Sequence, residues 1–218
     1  MNFTGKRYFA YIDILGFKKL CQAKNPQIQP SEVLYNFVSS SWINKEYDNS
    51  DFGILYFSDT IILYYKHEAI DHIYLRDICA LARGIVNSML CKGIPIRGVV
   101  NYGELNIQNY RGVETFWGKG LIESHKAEST QNIVGLFALP NSFEGYQGML
   151  HHFSCNGSLM ETDFYVDECK EIYINLFPYL SSLDQYNLDM RDYDRTLCSG
   201  ELKAYSFLKS QASNNALL

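Results

Sequence analysis

Apolar residues form two kinds of pattern along this chain. Short, nearly continuous apolar runs rich in β-branched and aromatic residues predict strands that are buried on both faces. Longer segments with apolar residues three or four positions apart predict helices. The predicted strands are KRYFAYIDI, DFGILYF, TIILYYK, IPIRGVVNYGEL, NIVGLFAL and TDFYVDE. The predicted helices are LGFKKLCQA, PSEVLYNFVSSSWI, EAIDHIYLRDICALARGIVNSMLCKG and WGKGLIESHKAES.

The order of these elements predicts the fold class. Only Ser58 and Asp59 separate the second and third strands, which indicates a tight hairpin. Strands and helices in this order predict an α+β fold, with helices on one face of a mainly antiparallel sheet. Because no linker interrupts the pattern, we expect a single domain over residues 1–218. Its core is predicted at about 4–170, followed by a polar, amphipathic, helical C-terminal extension at about 171–218.

Composition excludes some classes of function. The net charge is −5, and no run of Lys or Arg is longer than two residues. Duplex nucleic acid is therefore an unexpected partner, because its binding requires many cations against the phosphates. No segment reaches the roughly 20 apolar residues of a membrane helix, so no membrane insertion is expected.

The cysteines and the N-terminus indicate a cytoplasmic protein. The six cysteines are scattered without any C-x-x-C pair, which is typical of reduced thiols and not of a structural zinc site. The N-terminal segment MNFTGKRYFAYIDI has no small-residue cleavage site after an apolar core, so it does not predict a signal peptide.

Two carboxylates occupy corresponding places in the predicted sheet. Asp13 ends the first strand and Asp59 lies in the tight turn of the following hairpin. If that strand lies beside the hairpin, both carboxylates reach the same edge, where they repel each other unless a proton or a cation is shared. Hard divalent ions such as Mg²⁺ or Mn²⁺ prefer these ligands. Taken singly, Asp59 is also a common turn residue and Asp13 a possible helix cap.

Four segments in order carry a family resemblance: YIDILGFKKL, FSDTIIL, IRGVVNYGEL and FWGKGLIESHKAES. Over about residues 7–140 the chain resembles the class III nucleotidyl cyclases, which have a palm or ferredoxin-like sheet. Among them it looks most like the pyrimidine nucleotide cyclases of bacterial Pycsar anti-phage systems. That resemblance implies a homodimeric lyase that makes cyclic CMP or cyclic UMP from CTP or UTP, and a separate effector that binds the product.

The resemblance also implies roles for individual residues. Two divalent cations, Mg²⁺ or Mn²⁺, would be bound by Asp13, Asp59 and the backbone carbonyl of Ile14. Phosphate oxygens would be bound by the backbone of Leu15, Gly16 and Phe17, and by Arg111, which is equally well read as a solvated loop residue. Lys126 would stabilise the transition state, as a point charge where the family has arginine.

The base-recognition positions depart from the purine pattern of the family. Thr115 stands where purine cyclases carry a base-reading aspartate, and Ile122 where they carry a ribose-binding asparagine. Without that carboxylate a purine loses its partner, which favours a pyrimidine substrate. Leu55 stands at the second base-reading position, and the neighbouring Tyr56 is the predicted base contact. Either CTP or UTP is compatible with these residues.

Two alternatives stay open at this point. The first is a purine (adenylate or guanylate) cyclase with atypical base recognition. The second is a catalytically silent, cyclase-like module that dimerises or binds a nucleotide, although both metal-binding aspartates are present.

Overall fold

A computed structural model of the chain describes residues 2–22, 29–39, 51–68, 70–130, 134–143, 164–166 and 172–174. Its strands are β1 (Lys6–Ile14), β2 (Phe52–Phe57), β3 (Thr60–Tyr65), β4 (Ile96–Glu104), β5 (Asn106–Tyr110), β6 (Val113–Trp117), β7 (Gly135–Ala138), β8 (Phe164–Val166) and β9 (Ile172–Ile174). Its helices are α1 (Phe17–Gln22), α2 (Pro30–Val38), α3 (His72–Leu90) and α4 (Lys119–Thr130), with a 3₁₀ turn at Pro140–Phe143.

Seven strands form one sheet in the order β2-β3-β1-β4-β7-β9-β8. The pairing of β4 with β7 is parallel and the other pairings are antiparallel. A separate two-stranded sheet is formed by the β5–β6 hairpin. The predicted fold class, an α+β fold with a mainly antiparallel sheet, is thus confirmed.

The central strand β1 is covered on both faces, as its continuous apolar sequence predicts. Alternate residues such as Ala10 and Ile12 belong to one apolar cluster with α2 and α3. The intervening residues Phe9 and Tyr11 belong to a second cluster, to which Leu121 and Ala127 of α4 contribute. The helices therefore lie on both faces of the sheet, with α2 and α3 on one and α4 on the other, where the sequence pattern had indicated one face.

Two further elements differ from the sequence prediction. The β5–β6 hairpin lies in a stretch to which the sequence pattern assigned no strand. Ile172–Ile174, at the start of the predicted helical extension, is the strand β9, which pairs with β7 and β8. The helical prediction is wrong for these three residues, and the rest of that extension lies outside the described residues. None of the described helices is both long and apolar enough to span a bilayer.

Helix α4 begins in direct backbone contact with the end of β4. A Cβ atom added at Gly103 would lie 2.9 Å from the Cα of Gly120, and one added at Gly120 would lie 2.9 Å from the backbone N and O of Glu104. Backbone atoms cannot move aside as a flexible side chain can. The absence of side chains at both positions therefore fixes how closely α4 approaches the sheet.

We expect Gly120→Ala to destabilise the protein by about 1–3 kcal/mol, the usual cost of overpacking a tight contact. Urea unfolding followed by circular dichroism measures this loss. Ser129→Ala, on the exposed side of the same helix, is the control and should stay within about 0.5 kcal/mol of the unchanged chain. Equal unfolding midpoints for Gly120→Ala and the unchanged chain would contradict the close contact.

Candidate active site

The two aspartates singled out in the sequence lie at the same end of the sheet. Asp13, near the end of β1, is opposite Thr60 of β3 on one side and Arg97 of β4 on the other. Asp59 lies in the two-residue turn between β2 and β3, and its carbonyl accepts a 2.8 Å hydrogen bond from the Ile14 N–H. The backbone itself therefore holds Asp59 beside the end of β1.

Ionisation of the Asp13 carboxyl group is unfavourable in this environment. Partial burial is the main cause that raises its pKa from 3.8 to about 6, followed by the negative charges of Glu128 and Asp59, while Arg97 and His125 act in the opposite direction. Within the described part of the chain, we find no side-chain hydrogen bond or ion pair at Asp13. An acidic side chain without a partner, next to a second one, is what a cation site requires.

Four further residues surround this pair, and sequence analysis did not single them out for a role. Arg97 forms an ion pair with the buried Glu128 of α4. Tyr11 and His125 are joined by a 3.1 Å hydrogen bond between the tyrosine hydroxyl and Nδ1. Glu128 follows Gly120 and Ser124 at intervals of four residues, and all three are buried on the same face of α4. An acidic residue is unusual on a buried helix face, and this spacing could have identified Glu128.

The turn after β1 supports only part of the predicted phosphate-binding segment. The Leu15 N–H donates to the Pro95 carbonyl at 2.9 Å, so this amide is already used within the protein. Gly16 has a φ of 73°, a conformation that favours glycine, and it is exposed. The amides of Gly16 and Phe17 stand at the start of α1, where helical N–H groups have no intrahelical acceptor. We therefore retain Gly16 and Phe17 as the phosphate-binding candidates.

Tyr56 lies on the other face of the sheet from Asp13. It is paired with Ile61, which in turn is paired with Ile12, and all three contribute to the cluster packed under α2 and α3. The sheet therefore separates Tyr56 from the α4 face, and its role as a base contact stays a prediction. Leu55, its neighbour in β2, contacts the cluster on the α4 face instead.

The remaining predicted residues are exposed in the single chain. Arg111 is in the β5–β6 turn, with its guanidinium 5.4 Å from the centre of the Tyr110 ring. Thr115 is exposed on β6, and Ile122 and Lys126 are exposed on α4. Since Ser124 and Glu128 of α4 face the sheet, Ile122 and Lys126 point away from it. Among the described residues, these four are not brought into contact with either aspartate.

The residues present fit a divalent cation bound by few protein ligands. Among the described residues, no group of three or more His, Cys, Asp or Glu side chains is placed to hold one ion. The donor set at this edge is two carboxylates and the backbone around Ile14. Such a set suits Mg²⁺ or Mn²⁺ when water and substrate phosphate oxygens supply the other ligands.

Comparison with known proteins supports the fold. No family model and no curated protein matches the chain. The monomeric guanylyl cyclase domain of the RhoGC fusion protein from the aquatic fungus Blastocladiella emersonii matches with a TM-score of 0.54 and 11% identity, over 80% of this chain and 96% of that one. This chain has the class III nucleotidyl cyclase fold.

Two other solved structures show the same similarity. A dimeric form of the Blastocladiella domain has a TM-score of 0.53 and 11% identity, over 79% of this chain and 94% of that one. The guanylate cyclase domain of RhGC from Catenaria anguillulae, in complex with GTP, has a TM-score of 0.51 and 12% identity, over 68% of this chain and 85% of that one.

The raised pKa of Asp13 predicts a pH-dependent cost to stability in the metal-free protein. Because the folded-state pKa lies above the ordinary value, ionising Asp13 destabilises the fold as the pH rises from about 4 to about 6. Asp13→Asn should therefore raise the free energy of unfolding at pH 8 by about 1 kcal/mol, allowing for solvent screening of a partly exposed group. Below pH 4 the gain should vanish. Urea unfolding in EDTA measures the free energy of unfolding of the variant and the unchanged chain at each pH. An equal gain at pH 8 and below pH 4 would indicate a packing effect instead.

Proposed function

We propose that this chain is a nucleotidyl cyclase that converts a pyrimidine nucleoside triphosphate, CTP or UTP, into its 3′,5′-cyclic monophosphate and pyrophosphate. The observation that carries this proposal is the pair Asp13 and Asp59, held by the backbone at one end of a class III cyclase sheet. Neither carboxylate has a side-chain partner among the described residues. Asp13 is only partly exposed, and a carboxylate so placed would usually have a partner if it served stability alone.

The chain would bind its cofactors and substrate through residues at this edge. Asp13, Asp59 and the carbonyl of Ile14 would hold two Mg²⁺ or Mn²⁺ ions. When bound, such ions favour deprotonation of the ribose 3′-hydroxyl and neutralise charge on the triphosphate. The amides of Gly16 and Phe17 would donate to phosphate oxygens. In the reaction the 3′-oxygen forms a bond to the α-phosphorus, the bond to the bridging oxygen breaks, and pyrophosphate leaves.

A second copy of the chain would complete each site. Lys126, the candidate for stabilising the transition state, points away from the sheet that carries the aspartates, as does Ile122. Arg111 and Thr115 are exposed on the β5–β6 hairpin. The hairpin and the outer side of α4 also expose apolar surface, with Val113 at 62% and Ile122 at 71% relative accessibility. A twofold homodimer that places these residues over the partner's aspartates would form two sites and cover this surface.

The residues at the family's base-recognition positions favour a pyrimidine substrate. Thr115 and Ile122 replace the aspartate and asparagine of purine cyclases, and Leu55, on the α4 face, is apolar as well. These residues offer a purine no carboxylate to pair with, and an enzyme discriminates by leaving the wrong substrate unpaired. A purine cyclase with atypical recognition is the second candidate, since the Catenaria relative of this fold was solved with GTP.

The biological role follows from the family resemblance. As a cyclic pyrimidine nucleotide source in the cytoplasm of a bacterium, the enzyme would provide a second messenger in anti-phage defence. A separate effector would bind that messenger.

The activity is tested by incubating the purified chain with Mn²⁺ and each of the four ribonucleoside triphosphates separately, with mass spectrometry of the products. We expect cyclic CMP or cyclic UMP. Asp13→Asn and Asp59→Ala should each reduce turnover by about 10²–10³-fold or more, the scale for losing a principal electrostatic group. Cyclic AMP or cyclic GMP as the main product would favour the second candidate. The same trace turnover in the unchanged chain and in Asp59→Ala would refute catalysis.

Base selectivity is tested by the double variant Thr115→Asp/Ile122→Asn, which introduces the two purine-type groups. Because both positions are exposed, we expect the fold to tolerate the change within about 0.5 kcal/mol per substitution. The ratio of kcat/KM for purine to that for pyrimidine triphosphates should rise by about tenfold or more, as expected for one gained polar contact of about 1.4 kcal/mol. Thr115→Val/Ile122→Leu is the matched control and should leave the ratio low. An unchanged ratio in the first variant would remove these positions from base recognition.

A further inference from the structure

The cation that lies closest in register to Asp13 is paired with a different acid. Arg97 is the direct cross-strand partner of Asp13 in the β1–β4 pairing, so both side chains emerge on the same face of the sheet. Opposite charges in this arrangement usually attract each other. Nevertheless, Nε and Nη2 of Arg97 both contact Oε1 of Glu128 on α4.

Glu128 is placed to hold Arg97 in this way. Its side chain is only 3% exposed and that of Arg97 is 16% exposed, so water screens the ion pair poorly. The position of Glu128 is fixed by α4, which is anchored to β4 through the contact between Gly103 and Gly120 and through the bonds from Asn101 Nδ2 to the Gly120 carbonyl and to Ser124 Oγ. Glu128 is therefore part of a rigid contact, not a mobile surface acid.

We infer that Glu128 is a positioning residue, which draws Arg97 away from Asp13 and so keeps Asp13 available as a ligand for a divalent cation. This inference rests on the proposed function, because it concerns the same metal site. An arginine–carboxylate pair at Asp13 would occupy the ligand oxygens and add a positive charge where the cation has to bind. By pairing with Arg97, the buried Glu128 keeps the oxygens of Asp13 unoccupied and offsets the positive charge of Arg97. Arg97 remains packed against the sheet.

The test titrates the full chain with Mn²⁺ alone, with no nucleotide. Electron paramagnetic resonance measures the concentration of free Mn²⁺ at each step. In Glu128→Gln, Arg97 loses its charged partner and is expected to turn to Asp13. The dissociation constant for Mn²⁺ should then rise by about tenfold or more. The control is Glu123→Gln, on the same helix, whose side chain is 42% exposed and contacts Lys119. It changes the net charge equally and should alter Mn²⁺ binding by less than about twofold.

The double variant Arg97→Gln/Glu128→Gln separates positioning from mere structural support. With Arg97 no longer able to compete for Asp13, Mn²⁺ binding should recover to within about threefold of the unchanged chain. A structural role for the ion pair predicts the opposite, because the double variant loses the pair as completely as the single one. If Glu128→Gln does not fold, as judged by circular dichroism, the double variant alone decides between these outcomes.

Failure of this inference and failure of the proposed function give different results. Unchanged Mn²⁺ binding in Asp13→Asn and Asp59→Asn, or no Mn²⁺ binding to the unchanged chain, would overturn the metal site and the inference with it. Weakened binding in both aspartate variants but not in Glu128→Gln would overturn the inference alone. Weakened binding in Glu128→Gln without recovery in the double variant would also overturn it, in favour of structural support.

Discussion

The candidate site depends on β1 being hydrogen-bonded along both edges and packed on both faces. The residues of this strand between Lys6 and Asp13 are buried, so a charged group in or next to that stretch is poorly solvated and needs a partner. Arg7, near its start, is fully buried and donates to the backbone carbonyls of Leu105, Lys66 and Thr4. Asp13, six residues later and on the same face, has no such partners among the described residues. One strand thus carries a charge that the protein satisfies and a charge that we propose a bound cation neutralises.

The surroundings of Asp13 are fixed by backbone contacts more than by side chains. The turn that carries Asp59 is held by the Ile14 amide, and Arg97 is held by the β1–β4 register. Helix α4 reaches the same edge because glycines on both sides permit contact between backbones. In a site built in this way the fold positions both aspartates before any ligand binds, which reduces the ordering cost of binding.

The sequence predicted the parts of the site that depend on local pattern. The apolar run of β1 and the two-residue separation of β2 and β3 predicted Asp13 and Asp59 at one edge, provided that β1 lies beside the hairpin, as it does. The side of the sheet on which Tyr56 lies was not predictable, because a shift by one residue reverses the face and only the register with Ile61 settles it. The β5–β6 hairpin was missed because its strands are largely exposed and their apolar residues do not alternate regularly, which removes the strand signal. Glu128 was missed because its partner Arg97 is 31 residues away.

The two positions that depart from the purine cyclase pattern, Thr115 and Ile122, lie apart from the proposed metal ligands. Thr115 and Ile122 are exposed on the hairpin and on the outer side of α4, whereas Asp13, Arg97 and Glu128 lie between α4 and the sheet. Substitutions on an exposed surface usually cost little stability, while a change to a buried ion pair is expensive. The residues proposed to read the base can therefore vary without disturbing those proposed to bind metal. The proposed base-reading positions are therefore separable from the proposed metal ligands, whereas Lys126, proposed for the transition state, shares the outer side of α4 with Ile122.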